Sequence, residues 1–373
     1  MRKTKGLSRL IVLVLLVSMA FAITACGGAE TPAQPAAPAP ADPAPAPAPA
    51  DPAPAPAPAP EPGRDQFVVG FSNGFSGNSW RAMMLASLEQ ELENYPNVIL
   101  SVVDGQNDIA KQVNDIQSLI AKNVDAIMVI PNSAEAIEPV LREARQRGII
   151  VCVFNLPVND PESYDIFFGT DAVAKGRENG EWLVERLGGE GKIIAFGGIA
   201  GNSYTAAGLE GLDQALAGSN VELIAYRDAD WSEDVAKMIM ADLIGAYPQI
   251  DGIWADGGQM AAGALKAMQD AGLPLIPVTG DDYNGLLRLY AENKDSEPNL
   301  DFNALSEPTW QVREAFRLVY RKLTGEAVDK DNFFVPAPIN SSNYTDFFLP
   351  DMPDTLFADN DLRPEVLATI LGL

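Results

Sequence analysis

The sequence predicts an α/β protein with two similar lobes, because its folded part repeats itself at an offset of about 125 residues. Residues 124–127 open one apolar strand, and residues 250–253 open another in the same way. Each copy alternates short β-rich runs with helical periodicity, which is typical of right-handed βαβ units around a parallel sheet.

The predicted elements of the two copies keep nearly the same order and spacing. An amphipathic helix ends at Gly148 in the first copy and at Gly272 in the second. Ligands of such sheets bind outside the carboxyl ends of the strands, so two facing sheets would present their loops to one shared site. The strands predicted at 67–71 and 98–103 are matched by those at 192–196 and 221–226.

The N-terminus has the layout of an export signal. Basic residues precede an apolar run at 10–23, and this run ends at Ala25-Cys26-Gly27. The junction resembles the bacterial lipobox, which implies a signal peptide at 1–25 and lipidation of Cys26. The alternative is an uncleaved membrane anchor with an incidental cysteine, but the run is short for a spanning helix.

Residues 26–65 consist mainly of Pro and Ala after the cysteine, and predict an extended polyproline II tether between lipid and globule. The formal net charge is −25, and no strongly basic stretch follows Arg9, so nucleic acid is not an expected partner. Cys26 and Cys152 are the two cysteines. We therefore expect no intramolecular disulfide, and we interpret Cys152, inside the apolar run 149–154, as a small core residue.

Several chemistries are excluded by residue type. Gly70-Phe71-Ser72-Asn73-Gly74 matches the nucleophile elbow of hydrolases, but the chain contains no histidine to activate Ser72. The same glycines fit neither phosphate-binding motif, and residues 329–332 lack the glycine and glutamate of a calcium loop. We expect no enzyme activity, no cofactor and no metal site.

Candidate ligand-binding residues follow the predicted strands. Trp80 and Trp231 occupy corresponding positions in the two copies, which would allow a ligand to be held between two aromatic rings. Packing is the alternative for Trp80, and simple turn formation is the alternative for the acidic residues. The other candidates are Ser72, Asn78, Arg81, Asn155, Asp256 and Asp282.

These segments resemble the sugar-binding, ribose-binding-like members of the type 1 periplasmic-binding-protein family, over about residues 66–338. Residues 69–81, 112–127, 198–201, 258–261 and 278–282 carry the resemblance. It implies two Rossmann-like lobes with parallel sheets, joined by three crossings near 168–171, 304–308 and 335–341. It also implies ligand contacts from Asn78, Trp80, Arg81, Trp231 and Asp282, with Ser306 and Glu307 near a polar hinge position.

The sequence departs from the family pattern at three contacts. An Asp-Arg pair expected after the fourth strand is replaced by Asn155-Leu156, an expected Arg aligns with Ala206, and an expected Asn aligns with Gly257. Ribose or galactose pyranose is therefore in doubt, and another sugar, a polyol or another small polar solute stays open.

The resemblance implies a monomeric, lipid-anchored receptor on the outer face of the cytoplasmic membrane, which delivers a small sugar or polyol to an ABC permease. The alternatives are a sensory module for a membrane kinase or chemoreceptor, and a nucleoside-binding lipoprotein. The expected lobes are 66–168 with about 306–338, and 169–305. The packing of the tail at 339–373 stays open.

Overall fold

The computed structural model describes residues 66–296 and 300–373. The first lobe begins with β1 (Phe67–Asn73), α1 (Ser79–Leu92), β2 (Val98–Asp104), α2 (Ile109–Ala121), β3 (Ala126–Ile130), α3 (Ala134–Gln146), β4 (Ile150–Phe154) and β5 (Ile166–Gly169). The second lobe follows with α4 (Ala172–Arg186), β6 (Glu190–Gly197), α5 (Ser203–Leu216), β7 (Asn220–Asp228), α6 (Glu233–Ala246), β8 (Gly252–Ala255), α7 (Gly258–Asp270), β9 (Val278–Gly280), α8 (Asn284–Asn293) and β10 (Phe302–Leu305). The remaining elements are α9 (Gln311–Leu323), β11 (Asp331–Phe333), β12 (Pro338–Asn340) and α10 (Pro364–Leu371).

The strands form two six-stranded sheets, one in each lobe. The first has the order β11-β5-β4-β3-β1-β2 and the second the order β12-β10-β9-β8-β6-β7. All pairings are parallel except that of β12 with β10, which is antiparallel. The two-lobe α/β prediction is confirmed.

Local sequence explains where the elements lie. The central strands β3 and β4 are buried on both faces, so they read as continuous apolar runs. Helices α1 to α6 begin at short polar residues that cap their first turn. Asn78 caps α1, Ser133 caps α3 and Ser232 caps α6, each through a side chain that accepts from a backbone N–H.

Helices α4 and α5 of the second lobe approach each other through glycines. A Cβ atom at Gly176 would lie 2.1 Å from the carbonyl oxygen of Gly208, and one at Gly211 would lie 2.1 Å from the carbonyl oxygen of Val173. No side chain larger than hydrogen fits there, so the glycines allow the two backbones to touch.

The chain passes between the sheets after β5, after β10 and between β11 and β12. Residues 338–340 therefore pair with β10 in the second sheet. They begin where the segment predicted for the first lobe, about 306–338, ends. The tail continues along α8 of the second lobe, and α10 then packs against α1 of the first.

Within the described ranges, none of the helices has the length and apolar character needed to cross a bilayer. The predicted signal peptide, the lipidated Cys26 and the tether fall at residues 1–65, outside the described residues.

Candidate functional site

A partly open cavity lies between the two lobes, at the carboxyl ends of the strands, with about 430 Å³ of empty space that includes its opening to solvent. Both lobes, the second crossing and the C-terminal tail contribute to the lining. The lining residues are Asn78, Trp80, Arg81, Asn155, Leu156, Tyr204, Trp231, Asp256, Gln259, Asp281, Glu307 and Phe357.

Most of the residues chosen from the sequence come together in this lining. Ser72 and Asp282 do not line it. The residues that do are Asn78, Trp80, Arg81, Asn155, Trp231, Asp256 and Glu307.

Ser72 faces away from the cavity. Its side chain is fully buried beneath α2, where Gln112 Nε2 lies 3.3 Å from the Ser72 Oγ. Neighbouring side chains of a strand point to opposite faces, so Asn73 faces the cavity side and accepts a 2.9 Å hydrogen bond from Arg81 Nη1.

Asp282 ties segments of backbone together instead of lining the cavity. Its carboxylate accepts hydrogen bonds from the backbone N–H of Glu307 at 2.7 Å and of Asp359 at 2.8 Å. The side chain is fully buried. Asp282 therefore connects the loop after β9 to the second crossing and to the C-terminal tail.

Trp80 and Arg81 reach the cavity from the first turn of α1. The Trp80 indole N–H donates to the carbonyl oxygen of Glu307 at 2.7 Å, so this ring serves both packing and the cavity wall. The Arg81 guanidinium lies 5.5 Å from the Trp80 ring centroid. Burial lowers the pKa of Arg81 to about 9, which leaves the group charged at neutral pH.

Glu307 is the centre of a buried polar network. Its carboxylate accepts from Lys175 Nζ at 2.6 Å, Asn155 Nδ2 at 2.7 Å, Tyr204 Oη at 2.8 Å and Gln311 Nε2 at 2.9 Å. Burial opposes its charge, but the Lys175 ammonium and the other donors outweigh that effect and lower the pKa of Glu307. The network joins both lobes at the second crossing.

Asn155 reaches Glu307 because its backbone adopts the left-handed region, with φ of 63°. Asparagine tolerates this conformation better than most residues. This turn at the end of β4 directs the Asn155 side-chain amide to the Glu307 carboxylate.

Trp231 and Asp256 form the wall on the second lobe. The Trp231 indole N–H donates to Asp256 Oδ1 at 2.9 Å, and Thr205 Oγ1 donates to Asp256 Oδ2 at 2.6 Å. Burial raises the pKa of Asp256 to about 6. Trp231 lies directly over Gly198, where a Cβ atom would meet the indole at 2.2 Å.

Five lining residues were not chosen from the sequence. Gln259 and Asp281 lie in segments 258–261 and 278–282, which carry the resemblance, but neither was selected. Tyr204 lies just after segment 198–201, where no residue was selected. Leu156 was noted only as a departure from the family pattern. Phe357 lies in the tail, where neither spacing nor resemblance gave a signal.

Two of these residues carry polar atoms of note. Within the described residues, Gln259 Oε1 is buried without a hydrogen-bond partner. Asp281 Oδ1 accepts from the backbone N–H of Gly258 at 2.8 Å. Burial, together with the charge of Asp282, raises the pKa of Asp281 to about 8.

An open groove of about 1150 Å³ adjoins the cavity and shares Asn78, Trp231 and Gln259 with it. Its rim is formed by residues 75–79 on one side and 230–234 on the other. The groove connects the cavity to solvent between the lobes.

No group of acidic or cysteine side chains in the described part of the chain is arranged to hold a metal ion. Cys152 is a buried free thiol, and burial raises its pKa. Its position in β4 places it in the core.

The sequence matches the family model described as "Periplasmic binding protein domain" over residues 69–327. The chain is a member of the periplasmic-binding-protein family. It is of type 1 and ribose-binding-like.

Named relatives and solved structures of this family are similar to the chain. A xylitol-binding protein of Mycolicibacterium smegmatis is 30% identical over 66% of this chain and 70% of its own length. A galactofuranose-binding protein of Escherichia coli is 28% identical over 62% and 75%, respectively. A Mycobacterium smegmatis structure in complex with β-D-fucofuranose aligns with a TM-score of 0.69 and 22% identity, over 82% of this chain and 98% of that one. At this identity the structural likeness shows the fold alone.

Proposed function

We propose that this chain is the extracellular solute-binding lipoprotein of an ABC importer, and that it captures a small sugar or polyol by closure of the two lobes. The observation that carries this proposal is the inter-lobe cavity, which is lined by Trp80, Trp231 and Phe357 together with the polar side chains of Arg81 and Asp256. The relatives named for xylitol and galactofuranose support a polyhydroxylated ligand.

The lining suits such a ligand chemically. Sugar rings have apolar faces that pack on aromatic rings, and hydroxyl edges that exchange hydrogen bonds with carboxylates, amides and guanidinium groups. The buried Gln259 Oε1 needs a donor, which a ligand hydroxyl would supply. We propose a binding role without catalysis, because the relatives named for xylitol and galactofuranose are binding proteins and the chain has no histidine to act as a general base.

Closure would be driven by the ligand itself. A ligand favours the closed form only through the contacts that it gains there, and here these contacts would come from Trp80 on one lobe and Trp231 on the other. Delivery to a permease and attachment through Cys26 belong to this proposal. We expect a monomer, which light scattering after gel filtration checks.

The test is a binding screen followed by calorimetry. Xylitol, myo-inositol, pentoses and hexofuranose-forming sugars are added to the purified protein, and the shift of the unfolding temperature is recorded. We expect at least one to bind with one-to-one stoichiometry and to reduce the radius of gyration in solution scattering. The absence of a shift with all polyols, together with a shift caused by nucleosides, would overturn the proposal.

A matched pair of variants locates the site. Trp231→Ala removes a ring from the cavity, whereas Trp182→Ala removes a half-buried ring of α4 that does not line the cavity, in the same lobe. Loss of binding only in the Trp231→Ala variant supports the site.

A further inference from the structure

The C-terminal segment lies against both lobes and reaches the ligand cavity. We call residues 341–373 the C-terminal strap. It lies beyond residues 69–327, which match the family model. We infer that the strap completes the binding site, that Phe357 is a specificity-determining residue, and that the strap adds a fourth connection between the lobes. The part of this inference that concerns the ligand rests on the proposed function.

The strap is fixed first to the second lobe. Asn284 Nδ2 donates to the carbonyl oxygens of Leu349 at 2.9 Å and Met352 at 3.1 Å. Asp354 pairs with Arg288 Nε at 2.7 Å and with Lys266 Nζ at 2.9 Å. These contacts hold the strap along α8 and α7.

At the cavity the strap pairs with the loop after β9 as a short strand would. Phe357 forms an antiparallel bridge with Tyr283, and the Ala358 N–H donates to the carbonyl oxygen of Asp282 at 2.9 Å. The Phe357 ring packs edge-on against Tyr283, with ring centroids 5.7 Å apart. Only 1% of Phe357 is exposed, although its side chain lines the cavity. This ring therefore forms one apolar wall of the site.

The strap also borders the groove that leads to the cavity. Asp354 and Thr355 line that groove beside Tyr283. A segment outside the family-matched region thus contributes both to the wall of the cavity and to its approach from solvent.

Beyond Phe357 the strap crosses to the first lobe. Asp359 Oδ1 accepts from the indole N–H of Trp310 at 3.0 Å, next to the second crossing. Asp361 then pairs with Arg313 of α9, and its backbone carbonyl oxygen accepts from Gln90 Nε2 of α1 at 3.1 Å.

The end of the strap is fixed to α1 of the first lobe. Arg363 forms two hydrogen bonds with the Glu93 carboxylate, at 2.6 and 2.8 Å. The helix α10 packs on α1, with Leu367 buried. Because Asp282 accepts from both Glu307 and Asp359, the crossing at 358–360 is tied to the hinge beside the second crossing. Residues 358–360 must then also change conformation when the lobes close.

Calorimetry on the full chain tests whether Phe357 forms a wall of the ligand site. The probes are xylitol, myo-inositol and the mono-O-methyl ether of myo-inositol. For whichever unsubstituted probe the wild type binds, we expect Phe357→Ala to weaken binding at least tenfold. Where that probe is myo-inositol, we also expect the variant to discriminate less against the methyl ether, because the shortened side chain leaves room.

The control is Phe348→Ala, which removes a phenylalanine of the same strap that does not line the cavity, and which should change affinity less than twofold. Equal effects of the two variants would overturn the role of Phe357.

Phe357→Leu provides the same comparison if the alanine variant does not fold, because it keeps an apolar side chain without the ring.

Hydrogen exchange tests the fourth connection independently of any ligand. We expect the amides of Ala358 and Asp359 to be protected in the unliganded wild type, and their exchange to accelerate in Arg363→Ala. Rapid exchange of both amides in the wild type would overturn the connection. If the wild type binds no polyol while these amides are protected and their exchange accelerates in Arg363→Ala, the proposed function fails and the connection stands.

Discussion

The ammonium of Lys175 lies 2.6 Å from the carboxylate of Glu307, and both groups are buried at the point where the second lobe meets the second crossing. Burial alone would lower the pKa of Lys175, but the Glu307 charge outweighs it and raises that pKa well above its usual value. The pair therefore stays ionised over the whole physiological range.

Lys175→Met should destabilise the protein strongly, because it leaves the Glu307 carboxylate buried without its cation. Removing one partner of a buried ion pair costs about 3–5 kcal/mol. Urea unfolding measures this free energy. The double variant Lys175→Met/Glu307→Gln should be less destabilised than the sum of the single variants, since it removes the stranded charge. Strictly additive losses would contradict the coupling.

Stability should fall as the pH rises from about 4 towards 8, because Asp256 and Asp281 hold their protons in the folded protein after the unfolded chain has lost them. Burial raises their pKa values from 3.8 to about 6 and about 8. The folded state then binds more protons than the unfolded state in that interval, so its stability decreases with pH. Thermal unfolding across this range measures the effect.

Asp256→Asn and Asp281→Asn should each flatten this pH dependence, and Asp242→Asn on the exposed surface of α6 is the control. If the proposed ligand donates hydroxyls to Asp256, its binding should also release protons near pH 6. Calorimetry in buffers of different ionisation enthalpy detects that release. An unchanged pH profile in both variants would count against the raised pKa values.

Gly198→Ala should weaken ligand binding without contacting the ligand. Its Cβ atom would meet the Trp231 indole at 2.2 Å, and so would displace this ring from Asp256. We expect affinity to fall about tenfold, which corresponds to about 1.4 kcal/mol. Gly245→Ala, where the added Cβ would meet nothing within 4 Å, should leave affinity unchanged.

Gly176→Ala should destabilise the second lobe, because the added methyl group would collide with the Gly208 carbonyl oxygen and push α4 from α5. Overpacking of this kind costs about 1–3 kcal/mol. Gly245→Ala lies in open space within α6, and should instead stabilise by up to about 1 kcal/mol through helix propensity. Circular dichroism during thermal unfolding compares the two, and equal shifts would show that the α4–α5 contact adapts.

The repeated βαβ pattern predicted most of the fold because buried parallel strands must be apolar and their helices must be amphipathic. The predicted strands at 67–71 and 192–196 lie within β1 and β6. The antiparallel β12 was not predicted, since three residues at a sheet edge show no usable periodicity.

The site was predictable to the level of loops and only partly to the level of residues. Position after a strand identified Trp80 and Trp231, whose side chains line the cavity. The same argument chose Asp282 over Asp281, because spacing does not reveal which of two neighbouring carboxylates lines the cavity. Phe357 was not predicted as a lining residue, because its place in the cavity depends on a long-range pairing with Tyr283.

The docking of α10 on α1 brings the end of the chain back to the lobe that contains β1, the first described strand. Fluorophores fused near residue 66 and after residue 373 would therefore both move with the first lobe, and the distance between them would stay constant. A sensor built from this protein needs one of its labels on the opposite lobe, for instance on the exposed face of α6 near Met238.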